Sequence, residues 1–219
     1  NPGQTVSGNC AALLYGLPLR RDPVRPQLTT APVAQRAAGN PSITQGHRTA
    51  GLVRAATLRP AELGTWFGAP VTSPARTLVD LARHSRQDGL IAADAALYEG
   101  LVSSADIDRA LARACGWPGV RRARQVLALA SGLAESPLES LTRLAIHDSG
   151  LPMPELQRWV EAFGQWYRVD MIWPEQRLIV EADGRLKYTG ESEEGDPLWQ
   201  EKVREEYLGR VGYTVVRVL

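Results

Sequence analysis

Asp170, Glu181 and Asp183 are the residues whose types and spacing best suit chemistry in this chain. They lie in VDMIWPEQRLIVEADG, residues 169–184, where the apolar run Leu178-Ile179-Val180 ends on Glu181-Ala182-Asp183. Side chains alternate along a strand, so Glu181 and Asp183 share a face. Pro174-Glu175-Gln176-Arg177 has the composition of a tight turn. A turn centred on 175 and 176 sets Asp170 opposite Glu181 and Arg168 opposite Asp183. Opposed like charges destabilise a sheet. A hard cation compensates them: Mg²⁺ is held through one or two carboxylates and keeps room for water and phosphate oxygens, and Mn²⁺ takes similar donors. Metal-assisted hydrolysis of a phosphodiester is the chemistry such a set can support. Asp183 has a second reading, neutralised by Arg168 or closing a turn with Gly184.

These acids need a sheet to hold them. Strand-like runs near 156–163, 166–173 and 178–183 follow a helix at 136–150, opened by Ser136-Pro137 with Glu139 completing an S-x-x-E capping box. Asp196-Pro197 opens another helix that ends at Gly212, and 213–218 reads as a terminal strand. Its apolar spacing turns Leu198, Val203, Tyr207, Leu208 and Val211 toward the sheet, with Lys202 and Glu205 nearer the acids or solvent. Residues 134–219 thus read as an α/β domain with a mixed sheet. Upstream, 1–72 is rich in Pro, Gly, Thr and Ala with short β-like runs such as Gly51-Leu52-Val53-Arg54. Residues 73–133 read as an α-helical region: Ser73-Pro74 opens a helix to about His84, followed by helices near 88–99, 104–114 (Ser104 capping) and 119–130, closed by Gly132.

Charge separates along the chain. Residues 1–133 hold 15 arginines against 8 acids, and 134–219 hold 10 basic residues against 16 acids. A basic half suits a polyanion such as DNA, and an acidic half suits a cation. Arg121, Arg122 and Arg124 crowd the start of a helix, where cations oppose the dipole, so they are candidate DNA contacts, with Arg217 of the terminal strand. A solvated helix face is the alternative. Cys10 and Cys115 have no metal or disulfide spacing, and no apolar run is long enough to span a bilayer. A cytoplasmic location, without membrane insertion, is expected. His47, His84 and His147 read as surface or helix-end residues; Trp166, Tyr167 and Trp173 read as packing beside the hairpin.

Two stretches carry family resemblances. Asp170, ten residues, Glu181-x-Asp183-Gly184, Lys187, then Glu201-Lys202-x-Arg204-Glu205 and Gly212-Tyr213-x-Val215-Val216-Arg217 resemble the very-short-patch-repair-like branch of the PD-(D/E)XK nucleases. Val71-Thr72-Ser73-Pro74-Ala75-Arg76-Thr77-Leu78-Val79-Asp80-Leu81-Ala82 resembles the AbiEi-type antitoxin module. The first resemblance implies a restriction-endonuclease-like fold and a metal-dependent DNA endonuclease of repair or defence. Asp170, Glu181 and Asp183 would then be metal ligands and catalytic acids, joined by Glu139 if it leaves its capping role. The lysine expected two residues after the second acid is Asp183 here, and the usual histidine is Lys187, so Lys187 or Lys202 would supply the positive charge. The second resemblance implies a DNA-binding regulator built on a catalytically degenerate nuclease fold. Such chains are expected to meet DNA, a second copy as a homodimer, or a partner toxin or repair protein.

Overall fold

The structure, a computed structural model, describes residues 3–31, 51–183 and 197–219, without the side chains of 197–200. Lys187, Asp196, His47 and the Leu198 side chain therefore lie outside the described residues. The chain divides into two compact units, Asn1–Gly132 and Leu133–Leu219. Both mix strands and helices, so the class is α/β.

The first unit joins the β-containing stretch to the helices that follow it. Strands β1 (Gln4–Val6), β2 (Gln27–Thr30), β3 (Leu52–Ala55), β4 (Leu63–Trp66) and β5 (Ala69–Thr72) form a mixed sheet in the order β3-β2-β1-β5-β4. Helix α1 (Gly8–Leu14) follows β1. A 3-10 turn, Pro60–Glu62, leads into β4. Helix α2 (Pro74–His84) is the core element: Thr77, Leu78, Val79, Leu81 and Ala82 are all buried. It packs on α1 and on α3 (Arg86–Tyr98), α4 (Ser104–Arg113) and α5 (Val120–Leu127). A helix apolar on most of its circumference must be surrounded in this way. Small residues set the closest approach, since a Cβ on Gly89 would lie 2.5 Å from the Ala82 Cα.

Two boundaries differ from the sequence reading. Helix α4 is capped by Ser103, which exchanges bonds with Asp106 in a capping box, one residue earlier than Ser104. Helix α5 stops at Leu127; the apolar residues after it continue the pattern without continuing the helix.

In the second unit, α6 (Pro137–Asp148) precedes β6 (Glu155–Ala162), β7 (Gln165–Trp173) and β8 (Leu178–Ala182); α7 (Pro197–Arg210) then leads to β9 (Thr214–Val218). The sheet runs β6-β7-β8-β9, antiparallel except for parallel β8–β9. Met171, Trp173, Val180 and Ala182 pack with Leu138 and Ile146 of α6. Val160, Val169, Ile172 and Ile179 pack with Leu208 of α7. Leu208 is buried as its spacing implies, while Val203, Tyr207 and Val211 are half-buried.

Strict alternation would place Val169 with Met171 and Trp173, yet Val169 lies in the α7 cluster and they lie in the α6 cluster. Leu156 and Val160 part company in the same way. The facing pairs Leu156–Met171 and Arg158–Val169 bracket the changeover. Within it, Gln157 takes a left-handed backbone, φ 52°. That conformation is uncommon for a residue other than glycine, and here it flips the sheet's two faces beside Asp170.

Candidate functional site

The hairpin register is the one the turn implies: Met171 pairs with Val180, Ile172 with Ile179 and Trp173 with Leu178. One step further, at Asp170 and Glu181, the ladder gives way to side-chain bonds. The Ala182 amide donates to Asp170 Oδ2 at 2.9 Å, and Gln157 Nε2 donates to Oδ1 at 3.3 Å. The same Gln157 amide donates to Glu139 Oε2 at 3.0 Å, so it ties α6 to the hairpin. Glu181 is buried, and its Oε1 accepts a bond from Arg204 of α7 at 2.6 Å.

Charge within this group is under strain. Burial pushes the Glu181 carboxyl up to about 7, against the pull of Arg204 and with a further push from Asp170 and Asp183. Burial likewise raises Glu139, and Asp170 adds to that rise. The two carboxylates most removed from water are the ones least inclined to ionise.

Several side chains have partners the sequence did not suggest. Glu139 keeps its capping place: its amide donates to Ser136 Oγ at 3.2 Å, and its carboxylate takes the Glu135 amide at 3.1 Å and a side-chain hydrogen bond from Ser136. Arg168 pairs with Glu135 at 2.7 Å rather than with Asp183. Asp183 faces Arg217, at 3.8 Å. Arg217 also pairs with Glu201 at 3.2 Å and Glu205 at 3.0 Å, so three carboxylates of its own unit surround it. Lys202 is exposed and lines none of this. Asp170, Glu139 and Glu181 offer the hard oxygen donors that Mg²⁺ takes, but each is already engaged by an amide or a guanidinium. Among the described residues, no group of three His, Cys, Asp or Glu is arranged to hold a metal ion. As placed, Arg204 supplies the positive charge beside Glu181.

A second site lies in the first unit. A cavity of about 520 Å³ is lined by β3, the 3-10 turn, α2 and the end of α4, with Arg54, Arg59, Arg76, Arg83 and Arg113 on its wall. Arg76 is buried; its Nε binds Asp80 Oδ2 at 2.8 Å and its Nη1 binds Glu62 Oε1 at 2.9 Å. Arg83 binds the other Asp80 oxygen at 2.9 Å and donates Nε to Pro118 O at 2.7 Å. Both guanidiniums lie over the Trp117 ring, 4.3 and 5.0 Å from its centroid. His84 Nδ1 contacts Asp80 O at 2.6 Å. Desolvation at the wall, with Arg54 and Arg83 nearby, holds its imidazole below the usual value although part of the ring reaches solvent. Sequence reasoning missed this site. Its signal was Arg76, Asp80 and Arg83 at helical spacing within an otherwise apolar α2.

The candidate DNA contacts are placed differently. Arg121, Arg122 and Arg124 are exposed on α5, and Arg122 bonds the Arg83 carbonyl at 3.2 Å.

Residues 5–129 match the AbiEi antitoxin C-terminal domain. The chain belongs to that family. The match coincides with the first compact unit and ends before the acids of the second. Two uncharacterized proteins of Mycobacterium tuberculosis, from the CDC 1551 / Oshkosh and H37Rv strains, are each 36% identical over 161 residues. Those stretches cover 73% of this chain and 58% of each relative, so the chain spans little more than half their length. No solved structure matches significantly. No described helix is long and apolar enough to cross a membrane.

Proposed function

We propose that this AbiEi-family chain is an antitoxin-type, DNA-binding regulator whose second unit is a restriction-endonuclease-like scaffold without a working metal site. The observation that carries this reading is the family match over a compact basic unit. Excess arginine attracts the phosphate backbone without reading sequence. The second unit supports it, because Asp170, Glu139 and Glu181 are satisfied by Gln157, backbone amides and Arg204. An antitoxin implies a cognate toxin as protein partner. The test is duplex-DNA binding by fluorescence anisotropy, run beside plasmid cleavage with Mg²⁺, Mn²⁺ or EDTA. Salt-sensitive binding without metal-dependent cleavage is expected.

A metal-dependent endonuclease is the second reading. One observation favours it: a buried carboxyl raised to about 7 beside two other acids is a group that a cation would relieve. Lys202 and Lys187 remain its candidate cations. Cleavage that requires metal and disappears in Asp170→Ala would make this the correct reading.

A further inference from the structure

We propose that the arginine-lined cavity of the first unit is a binding site for the phosphate groups of a nucleotide. The wall satisfies part of its own charge. Arg76 and Arg83 are consumed by Glu62 and Asp80, a buried network in which two positive charges meet two negative ones. Arg54 and Arg113 remain on the wall, with Arg59, whose backbone amide bonds Glu62 at 2.9 Å. Among the described residues, neither the Arg54 nor the Arg113 guanidinium has a hydrogen-bond or ion-pair partner, and both are half-buried.

Half-buried cations of like sign do not gather in one concavity without cost. Burial lowers the Arg54 pKa against the pull of Asp80, and the neighbouring Arg83 charge adds a smaller push in the same direction as burial. An anion with several oxygens removes that cost. Guanidiniums present planar, fixed donors that match phosphate oxygens in pairs. The buried network fixes the wall in advance, with Trp117 holding Arg76 and Arg83 in place, so little ordering is left for the ligand to pay for. At about 520 Å³ the cavity is within the size range of small-ligand sites and much larger than a bare phosphate ion requires. A polyphosphate with an organic body fits both the charge and the space.

The site stands apart from the reading of the whole chain as a DNA-binding regulator, and the experiment separates the two. The intact chain is titrated calorimetrically with a nucleoside triphosphate, with inorganic phosphate and with a short DNA duplex. The same titrations follow for Arg54→Gln, Arg113→Gln and, as a surface control, Arg121→Gln. Saturable triphosphate binding is expected, weaker by about tenfold or more in either cavity variant and unchanged in the control. Two cavity variants guard against one failing to fold, and thermal melts check each. Competition between duplex and triphosphate, with duplex binding also lost in the cavity variants, would support the phosphate site and name nucleic acid as its source. Duplex binding that ignores the cavity variants, with triphosphate binding lost in them, supports the site and places DNA elsewhere. No saturable triphosphate or phosphate binding up to a few millimolar overturns it, as does undiminished binding in both variants.

Discussion

Gln157 and Glu181 show how much one side chain can decide in this molecule. Gln157 bonds both Glu139 and Asp170 through one amide and pays with a left-handed backbone. Glu181 carries the clearest pH signature. Folding raises its pKa from 4.5 to about 7, so between those values the folded chain holds a proton that the unfolded chain has released. Its contribution is therefore present at acid pH and lost as pH rises through that window. Thermal melts across it should show the parent losing stability toward neutral pH relative to Glu181→Gln, whose amide does not titrate. A difference that stays constant over the window would refute the raised carboxyl. In the first unit, Arg76 sits buried between Glu62 and Asp80. Arg76→Ala leaves two carboxylates without their guanidinium, and removing one partner of a buried pair costs about 3–5 kcal/mol. Urea denaturation should show that loss, and a cost below 1 kcal/mol would mean the network relaxes freely.

At the scale of elements, helices α2 and α3 meet at Gly89, where an added Cβ would lie 2.5 Å from one backbone atom of Ala82 and 2.9 Å from another. Backbone cannot step aside cheaply, so Gly89→Ala should destabilise by about 1–3 kcal/mol. Gly209 of α7 has open space around its Cβ position, and Gly209→Ala should stabilise by about 0.5–1 kcal/mol. Melting both variants tests whether contact or propensity governs each helix. Elements of this kind were legible in the sequence because caps and periodicity are local: Ser136-Pro137 opens α6, and Pro174 to Arg177 turns the hairpin in the implied register. The face change at Gln157 was not legible, since a left-handed glutamine leaves no compositional mark. Nor was the pairing of Arg204 with Glu181 or Arg217 with Asp183, because each joins residues brought together only by folding. The arginine cavity was hidden for the same reason: β3, the 3-10 turn and α4 supply its wall from separate stretches.

Across the whole molecule, the chain separates charge by unit, 15 arginines against 8 acids before residue 134 and 10 basic residues against 16 acids after it. If the basic unit carries DNA affinity, binding should fall steeply with added salt as counterions are released. Residues 1–132 alone should retain duplex binding in a mobility-shift titration, and 133–219 alone should show none; the reverse pattern would sink the charge argument. The order of pairing in the second unit has another consequence. β8 meets β7 through a short turn, but its parallel partner β9 arrives only after the α7 crossover. Contacts local in sequence form ahead of those that close a long loop. Until β9 docks, Leu178-Ile179-Val180 has a bare edge, the kind of strand that recruits other chains. Before that docking Glu181, following the apolar run and not yet buried, is charged at neutral pH, as a gatekeeper against aggregation must be. The carboxylate that weakens the finished fold protects the unfinished one. Refolding Glu181→Gln at increasing protein concentration should lose yield to aggregates at neutral pH even where its melts match or exceed the parent's, and light scattering during refolding would show it.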